Sequence, residues 1–389
     1  MKKIAILTSR FPVLSETFVG NEMRALQRYG HPVQPVAMQH SKAPGQLIDY
    51  VLVDNTLYLS DLKRIVPWSF IRKILINLPK ALPFVVTQSG LSRKSLLWNG
   101  VRLAYLLKQD QIQHIHAHFA HATAAHAIVA AKLLNISVSF VGHGSDIYVN
   151  PIDLPKKLKY STFAVAVCKE MHDDFAKHIS IDKIKQIHCG IDPYLFTPIK
   201  DKKNGNNGKL LYVGRLSESK GVDQIVQALA LMDEQDRPVI DLVGDGTLMD
   251  GLKVLVTKLG LVHKVNFLGA KDAEWLRQHA PHYVGLVAPF QPAKNGAKDT
   301  GPLVVKEAMA MCLPVISTRF MGIKDIVTDK TGILIEVGDV NALAEAMLKI
   351  TEMDEVQLKE MGLAGRNRVL QYFTLEKQVR QLSSCVEAA

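Results

Sequence analysis

Short apolar runs alternate with amphipathic stretches along nearly the whole of this chain, and they do so in two successive series. KIAIL, HPVQPVAM, IQHIHAH, SVSFVGH, TFAVAVC and IKQIHC form the first; KLLYVG, VIDLVG, VNFLG, YVGLVAP, LPVIST and GILIE form the second. Such runs, bounded by turn residues, read as strands. Segments with apolar residues at helical spacing, such as VDQIVQALALM at 222–232, lie between them. This βαβ punctuation predicts an α/β chain whose parallel sheets are covered by helices. Its repetition predicts two sheets, and 389 residues are enough for two cores.

The stretch GIDPYLFTPIKDKKNGNNG at 190–208 ends in polar Gly, Asn and Lys residues typical of a linker. The expected division is therefore a Rossmann-like domain at 1–190, a linker at 191–208 and a second Rossmann-like domain at 209–365. A C-terminal helix at 366–389 either packs on the second domain or returns to the first. Open α/β sheets bind ligands at the carboxyl ends of their strands, so the loops after the strands are the places to search.

Bulk composition excludes several classes. Hydrophobic residues make up 48% and charged residues 22%, a soluble globular balance. No apolar run approaches the roughly 20 residues that cross a bilayer. MKKIAILTSRF resembles a signal peptide, but its apolar patch ends at Leu7 and reads as a first strand. Cys168, Cys189, Cys312 and Cys385 are scattered without metal or redox spacing, which suits a reducing cytoplasm.

The formal charge of +10 concentrates in 62–110, where Lys63, Arg64, Arg72, Lys73, Lys80, Arg93, Lys94, Arg102 and Lys108 face only Asp110. Trp68, Phe70, Phe84 and Trp98 are interleaved with them. One reading is a peripheral contact with an anionic membrane surface, at the inner face of the cell membrane. The other is a solvated helical face whose aromatics point into the core. Nucleic acid is not expected, since no binding module accompanies the charge.

Three segments of the second half carry chemistry. In KLLYVGRLSESKGVDQIV a strand ends at Gly214, and Arg215 and Lys220 follow before a helix near Val222. Two cations beside free helix amides make a seat for a diphosphate, although two ordinary surface charges would look the same. In VIDLVGDGTLMDGL, Gly244 and Gly246 suggest a dinucleotide loop, but Met249 holds the third glycine position and the fingerprint fails. A tight turn is what remains.

In KDTGPLVVKEAMAMCLPVIST, Asp299 lies in the loop ahead of a helix and Glu307 one to two turns inside it. Thr300 and Gly301 precede Pro302, which suits a first helical position, and Val304, Ala308 and Met311 give an apolar stripe. The amides of Gly301, Leu303 and Val304 are expected to be free donors. An exposed helix with an acidic N-terminus explains the same residues without a ligand.

Together, GRLSESKG, GDG and DTGPLVVKEAMA resemble the second domain of retaining glycosyltransferases of family 4, with the GT-B fold: two Rossmann-like domains facing across a cleft. VAVCKEMHDDF and IKQIHCGIDPYLFTP extend the resemblance over most of the chain. It implies that Arg215 and Lys220 hold the donor diphosphate, that Asp299 contacts the donor sugar, and that Glu307 contacts the ribose. Two departures stand out. Asp299 replaces the usual glutamate, and Thr300 delays the glycine to Gly301.

In the first half, TSRFPVLSETFVGNEM resembles a subgroup with Ser-Glu-Thr-Phe-Val at this place. Ser15 is expected to cap a helix carrying Glu16 and Thr17 in its first turn, with Val19, Met23 and Leu26 as its buried stripe. Their amides and hydroxyls would then point into the cleft. A plain N-cap is the simpler reading of Ser15. His114, His116 and His118 alternate, so a strand would aim all three at one face. No carboxylate or cysteine joins them at ligand spacing, so no metal is expected there. His118 is kept as a cleft residue. His143, between glycines after a strand, lies where the resembling enzymes place a histidine beside the donor sugar. Asp146 is expected to cap the following turn.

The expected activity is transfer of a sugar from a nucleotide-sugar donor to a saccharide or lipid-linked acceptor, with retention, in polysaccharide or glycolipid assembly. His143, Arg215, Lys220 and Asp299 are the expected catalytic residues. No D-x-D occurs, so neither a metal held by that motif nor any other cofactor is expected. The resemblance supplies no enzymic nucleophile; it implies that the departing oxygen acts as base. The rivals are a sugar-nucleotide epimerase on the same scaffold, which would need no acceptor, and a non-catalytic sugar-binding scaffold at the membrane. A nicotinamide dehydrogenase is disfavoured by Met249.

Overall fold

The computed structural model describes residues 1–13, 16–42, 45, 47–62, 66–199 and 208–389. The chain divides into two compact units, Met1–Cys189 with Leu375–Ala389, and Gly190–Thr374.

The first unit holds β1 (Ile4–Phe11), β2 (Val33–His40), β3 (Leu57–Tyr58), β4 (His114–His118), β5 (Ser137–Val141), β6 (Phe163–Ala166) and β7 (Ile184–Gln186). They form one sheet in the order β3-β2-β1-β4-β5-β6-β7, parallel throughout. The second unit holds β8 (Leu210–Val213), β9 (Ile240–Val243), β10 (Val265–Gly269), β11 (Gly285–Ala288), β12 (Val315–Thr318) and β13 (Gly332–Ile335). Its order is β10-β9-β8-β11-β12-β13, again parallel. Every strand expected from the sequence is present. The addition is β3, whose two residues are too few to leave a period.

The order of each sheet reverses once, between β1 and β4 and between β8 and β11. Loops leaving neighbouring strands there run to opposite faces and open a crevice at the carboxyl ends. The strands are apolar because helices cover both faces: Ile4, Ala5 and Ile6 are wholly buried, as are Leu210 and Leu211. The helix Ala122–Leu134 is apolar nearly all round and packs on the helix Arg93–Gln109. Gly100 permits this, since a Cβ there would lie 2.3 Å from Cγ1 of Val129.

The segment 366–389 is two helices rather than one. Residues up to Tyr372 complete the helix Glu355–Tyr372 of the second unit, started by a capping box between Asp354 and Gln357. The helix Leu375–Ala388 belongs to the first unit and packs on the helix Thr17–Tyr29. Val379, Leu382 and Val386 form its buried stripe. Inside the second unit the entering and leaving chains pair, Ile191 N–H donating to Phe373 O at 2.9 Å.

The basic segment sends two of its four aromatics into the core and leaves two exposed. It forms the helices Trp68–Leu75, Leu78–Thr87 and Arg93–Gln109, with Phe70 and Phe84 in the core. Trp68 and Trp98 stay 63% and 41% exposed. Lys63 and Arg64 lie outside the described residues. No helix among the described residues is long and apolar enough to cross a membrane.

Candidate functional site

In the second unit the expected residues gather beside the β8/β11 reversal. Arg215 follows β8, and the next loop closes in a short turn, Glu218–Lys220, before the helix Val222–Leu231. Gly221 ends that turn at φ +63°, and a Cβ there would stand 1.9 Å from Pro289 O, so the loop after β11 can lie directly against it. Hydrogen bonds fix the contact: Gln291 N–H donates to Ser219 O at 3.1 Å, and Lys294 N–H to a Glu218 carboxylate oxygen at 3.0 Å.

This geometry brings Lys220 onto Asp299. Their side chains form a short, half-buried ion pair, with the Lys220 ammonium also 4.9 Å from the Phe290 ring centre. Arg215 is exposed, and among the described residues its guanidinium has no partner. The glycines of the GDG turn answer a packing demand. A Cβ on Gly244 would lie 1.8 Å from Gly214 O, and one on Gly246 would lie 2.4 Å from Leu216 O. The loops leaving β8 and β9 therefore touch backbone to backbone, with Leu216 N–H donating to Asp245 O at 2.9 Å.

The helix Leu303–Ala310 starts after Pro302 without a side-chain cap. Among the described residues nothing accepts from the amides of Gly301, Leu303 and Val304, which leaves donors for an anion. Its buried face is centred on Val305, Ala308 and Met309; Val304 is only half-buried, and the helix ends before Met311. The expected stripe is thus turned by about one residue; Lys306 is also buried, its ammonium 5.7 Å from the Phe373 ring centre. Thr300 is buried at the entrance to this helix. Glu307 is half-buried, and its carboxyl is enclosed enough that burial pushes it up to about 7, against the pull of Lys306. Of the two expected cations, Lys220 is matched to Asp299, and Arg215 is left without a partner among the described residues.

The first unit arranges its polar residues differently. All five residues of β4 are buried, and its histidines do share one face. His114 is hydrogen-bonded to Ser137 Oγ and Ser139 Oγ, each at 2.7 Å, and His116 Nδ1 to Ser139 Oγ at 2.7 Å. His118 Nε2 lies 3.2 Å from Glu22 Oε1, and His118 Nδ1 lies 3.0 Å from His143 Nε2. The expectation that no carboxylate joins these histidines is therefore corrected: Glu22 reaches them from the helix Thr17–Tyr29. His118 is 1% exposed rather than open. What it touches is His143, which is half-buried and packed against Phe18, with ring centres 4.3 Å apart and planes tilted by 32°.

Burial holds His143 well below the ordinary imidazole range, aided by His118, and brings His116 down to about 4. Burial alone would raise Glu22, but the charge and hydrogen bond of His118, with His116 and Gln378, keep its carboxyl lowered.

Two local expectations change. Asp146 does not cap a following turn; its carboxylate accepts from the amides of Ala120, His143 and Gly144, tying the loops after β4 and β5 together. The helix cap after β1 is Glu16, which makes no side-chain capping bond, so Thr17 is the first helical residue. Burial raises the Glu16 carboxyl, opposed by His118. Ser15 lies outside the described residues. Glu22 and Gln378 were missed, although a signal existed. Each is the polar member of an apolar stripe, Val19-Glu22-Met23-Leu26 and Leu375-Gln378-Val379-Leu382.

Residues 15–195 match the family Glycosyltransferase Family 4, and residues 196–368 match Glycosyl transferases group 1. The amylovoran biosynthesis glycosyltransferase AmsK of Erwinia amylovora is 27% identical over 99% of each chain. The N-acetyl-alpha-D-glucosaminyl L-malate synthase of Bacillus anthracis is 27% identical over 72% of this chain and 76% of that one. Among solved structures, Anabaena Alr3699/HepE in complex with UDP superimposes with a TM-score of 0.75 at 16% identity, covering 100% of both chains. Matched along both halves by glycosyltransferase families, and built as two parallel-sheet units of the GT-B kind, the chain is a family 4-like glycosyltransferase.

Proposed function

We propose that the enzyme takes its sugar from a nucleoside diphosphate sugar, seating the diphosphate between Arg215, Lys220 and the amides of Gly301, Leu303 and Val304. The observation that carries this reading is the meeting of Lys220 and Asp299, together with an Arg215 that has no partner among the described residues and a helix N-terminus without a side-chain cap. As the bond from the anomeric carbon to the diphosphate oxygen breaks, negative charge grows on that oxygen. Fixed cations and amides stabilise it. The acceptor hydroxyl attacks from the same face and gives its proton to the departing oxygen, which retains configuration.

Glu307 receives the ribose diol. Asp299 holds Lys220 until the donor arrives, then contacts the sugar. His143, fixed by His118 and Phe18, is the residue of the first unit proposed to serve the sugar. The acceptor is a saccharide or lipid-linked saccharide of a cell-surface polysaccharide, consistent with the amylovoran role named for AmsK.

The segment 62–110 supports work at an anionic membrane surface. Arg72, Lys73, Lys80, Arg93 and Lys94 are exposed along the same segment as exposed Trp68 and Trp98, and Lys94 and Trp98 line an apolar groove of ≈ 370 Å³ with Ile71, Leu75, Leu78 and Leu97.

The test is thermal stabilisation by UDP-, GDP- and ADP-sugars, with Arg215→Ala and Glu307→Ala in parallel. Stabilisation by one nucleotide class, reduced in both variants, is expected. Equal stabilisation of all three proteins would remove these residues from the donor site. Proton NMR of the product anomer decides retention, and co-sedimentation with phosphatidylglycerol vesicles decides the membrane contact.

A further inference from the structure

We propose that Glu22, His116 and His118 form a buried binding site for one divalent transition cation of the zinc class. Three donor atoms, Glu22 Oε1, His116 Nε2 and His118 Nε2, all lie within 4.8 Å of one another. Glu22 Oε1 stands 3.6 Å from His116 Nε2 and 3.2 Å from His118 Nε2. Donors on a tetrahedral zinc with bonds of about 2.0–2.1 Å sit roughly 3.3–3.4 Å apart, so two edges of the coordination polyhedron are already drawn.

The outer contacts complete the argument. His116 is held at Nδ1 by Ser139 Oγ (2.7 Å), and His118 at Nδ1 by His143 Nε2 (3.0 Å). Glu22 is held at Oε2 by Gln378 Nε2 (2.6 Å). Each residue thus has its far atom bonded and its near atom turned inward, the arrangement that orients metal ligands. His116 Nε2 is buried with no hydrogen-bond partner among the described residues, and 3.6 Å is too long for an N–H···O bond to Glu22. A cation would occupy that lone pair.

Imidazole and carboxylate donors favour zinc, cobalt, nickel or iron over magnesium and calcium, which prefer all-oxygen shells. Because the three ligands are 4%, 1% and 1% exposed, the ion would be taken up during folding and exchange slowly.

The experiment uses the untagged full-length chain, produced in zinc- or cobalt-supplemented medium, freed of loose metal on a chelating resin and assayed by inductively coupled plasma mass spectrometry. About one ion per chain is expected, with visible d–d absorption in the cobalt form. Glu22→Gln and His116→Gln should lose the ion while retaining far-UV circular dichroism. His114→Asn, in the same strand but bonded only to serines, should keep it. Should Glu22→Gln fail to fold, Gln378→Ala, which spares all three ligands, should bind zinc roughly tenfold or more weakly. A wild-type chain without metal from either medium overturns the proposal, as does retention of the ion by both His116→Gln and Gln378→Ala at wild-type affinity.

Discussion

Both units reverse strand order once and both place polar side chains at the carboxyl ends next to that reversal, yet they treat those groups in opposite ways. Beside β8 and β11, Lys220 is matched to one aspartate, while exposed Arg215 and the helix amides after Gly301 have no partner among the described residues. Beside β1 and β4, Glu22, His116 and His118 are almost wholly buried and bonded to a further ring of polar groups. The first arrangement suits an anion arriving from water, because Arg215 and the amides have no partner among the described residues until the anion binds. The second suits groups that must hold position beforehand, since a buried polar atom must find its partner inside the protein.

The contrast breaks most visibly at Lys220. Lys220→Ala removes a cation and leaves Asp299 uncompensated near the expected diphosphate. Transfer should fall roughly 10²–10³-fold, measured as kcat/KM. Asp299→Asn should cost less, because Lys220 remains; a loss equal to that of Lys220→Ala would make the ion pair, rather than the lysine, the working unit.

Arg215→Ala comes next. Donor affinity should weaken roughly 10–100-fold by calorimetry. The melting temperature of the ligand-free protein should stay put, since Arg215 has no internal partner among the described residues. A lower melting temperature would show that the residue supports the fold.

Glu307 gives the third effect. Its folded carboxyl stands at about 7 against 4.5 for the ordinary group. The stability tied to the raised value is fully present below 4.5 and is lost as pH rises through 7. Glu307→Gln should therefore gain on the wild type in melting temperature between pH 5 and pH 8. If the ribose diol donates to the ionised form, donor affinity of the wild type should rise roughly tenfold from pH 6 to pH 8. The variant should show no such slope, and a slope that survives it assigns the titration to another group.

The smallest effect belongs to the first unit. Gln378→Ala removes one donor to the buried Glu22 carboxylate and should lower unfolding free energy by about 1–3 kcal/mol in urea titrations, with donor binding unchanged. Lost donor binding would tie the C-terminal helix to the donor site itself.

Hydrophobic period and turn residues made both sheets legible, and they named the strand ends where Arg215, Lys220 and His143 stand. Every expected strand formed because a buried parallel strand must be apolar whatever lies beside it. Two-residue β3 escaped because pairing to β2, rather than any period of its own, makes it a strand. The break at 373–374 also escaped, since helical spacing reads much the same on either side.

Partnership was invisible. The stripe Val19-Glu22-Met23-Leu26 shows which face of its helix is buried, but not that Gln378 would meet Glu22 from the other end of the chain or that β4 would bring two imidazoles to it. Likewise Lys220 and Asp299 looked like two independent ligand contacts, and only the close approach permitted by Gly221 made them a pair. Periodicity records whether a side chain faces water or protein. Which protein atom it faces depends on chain crossings between residues remote in sequence, and those are settled when the sheets and helices pack.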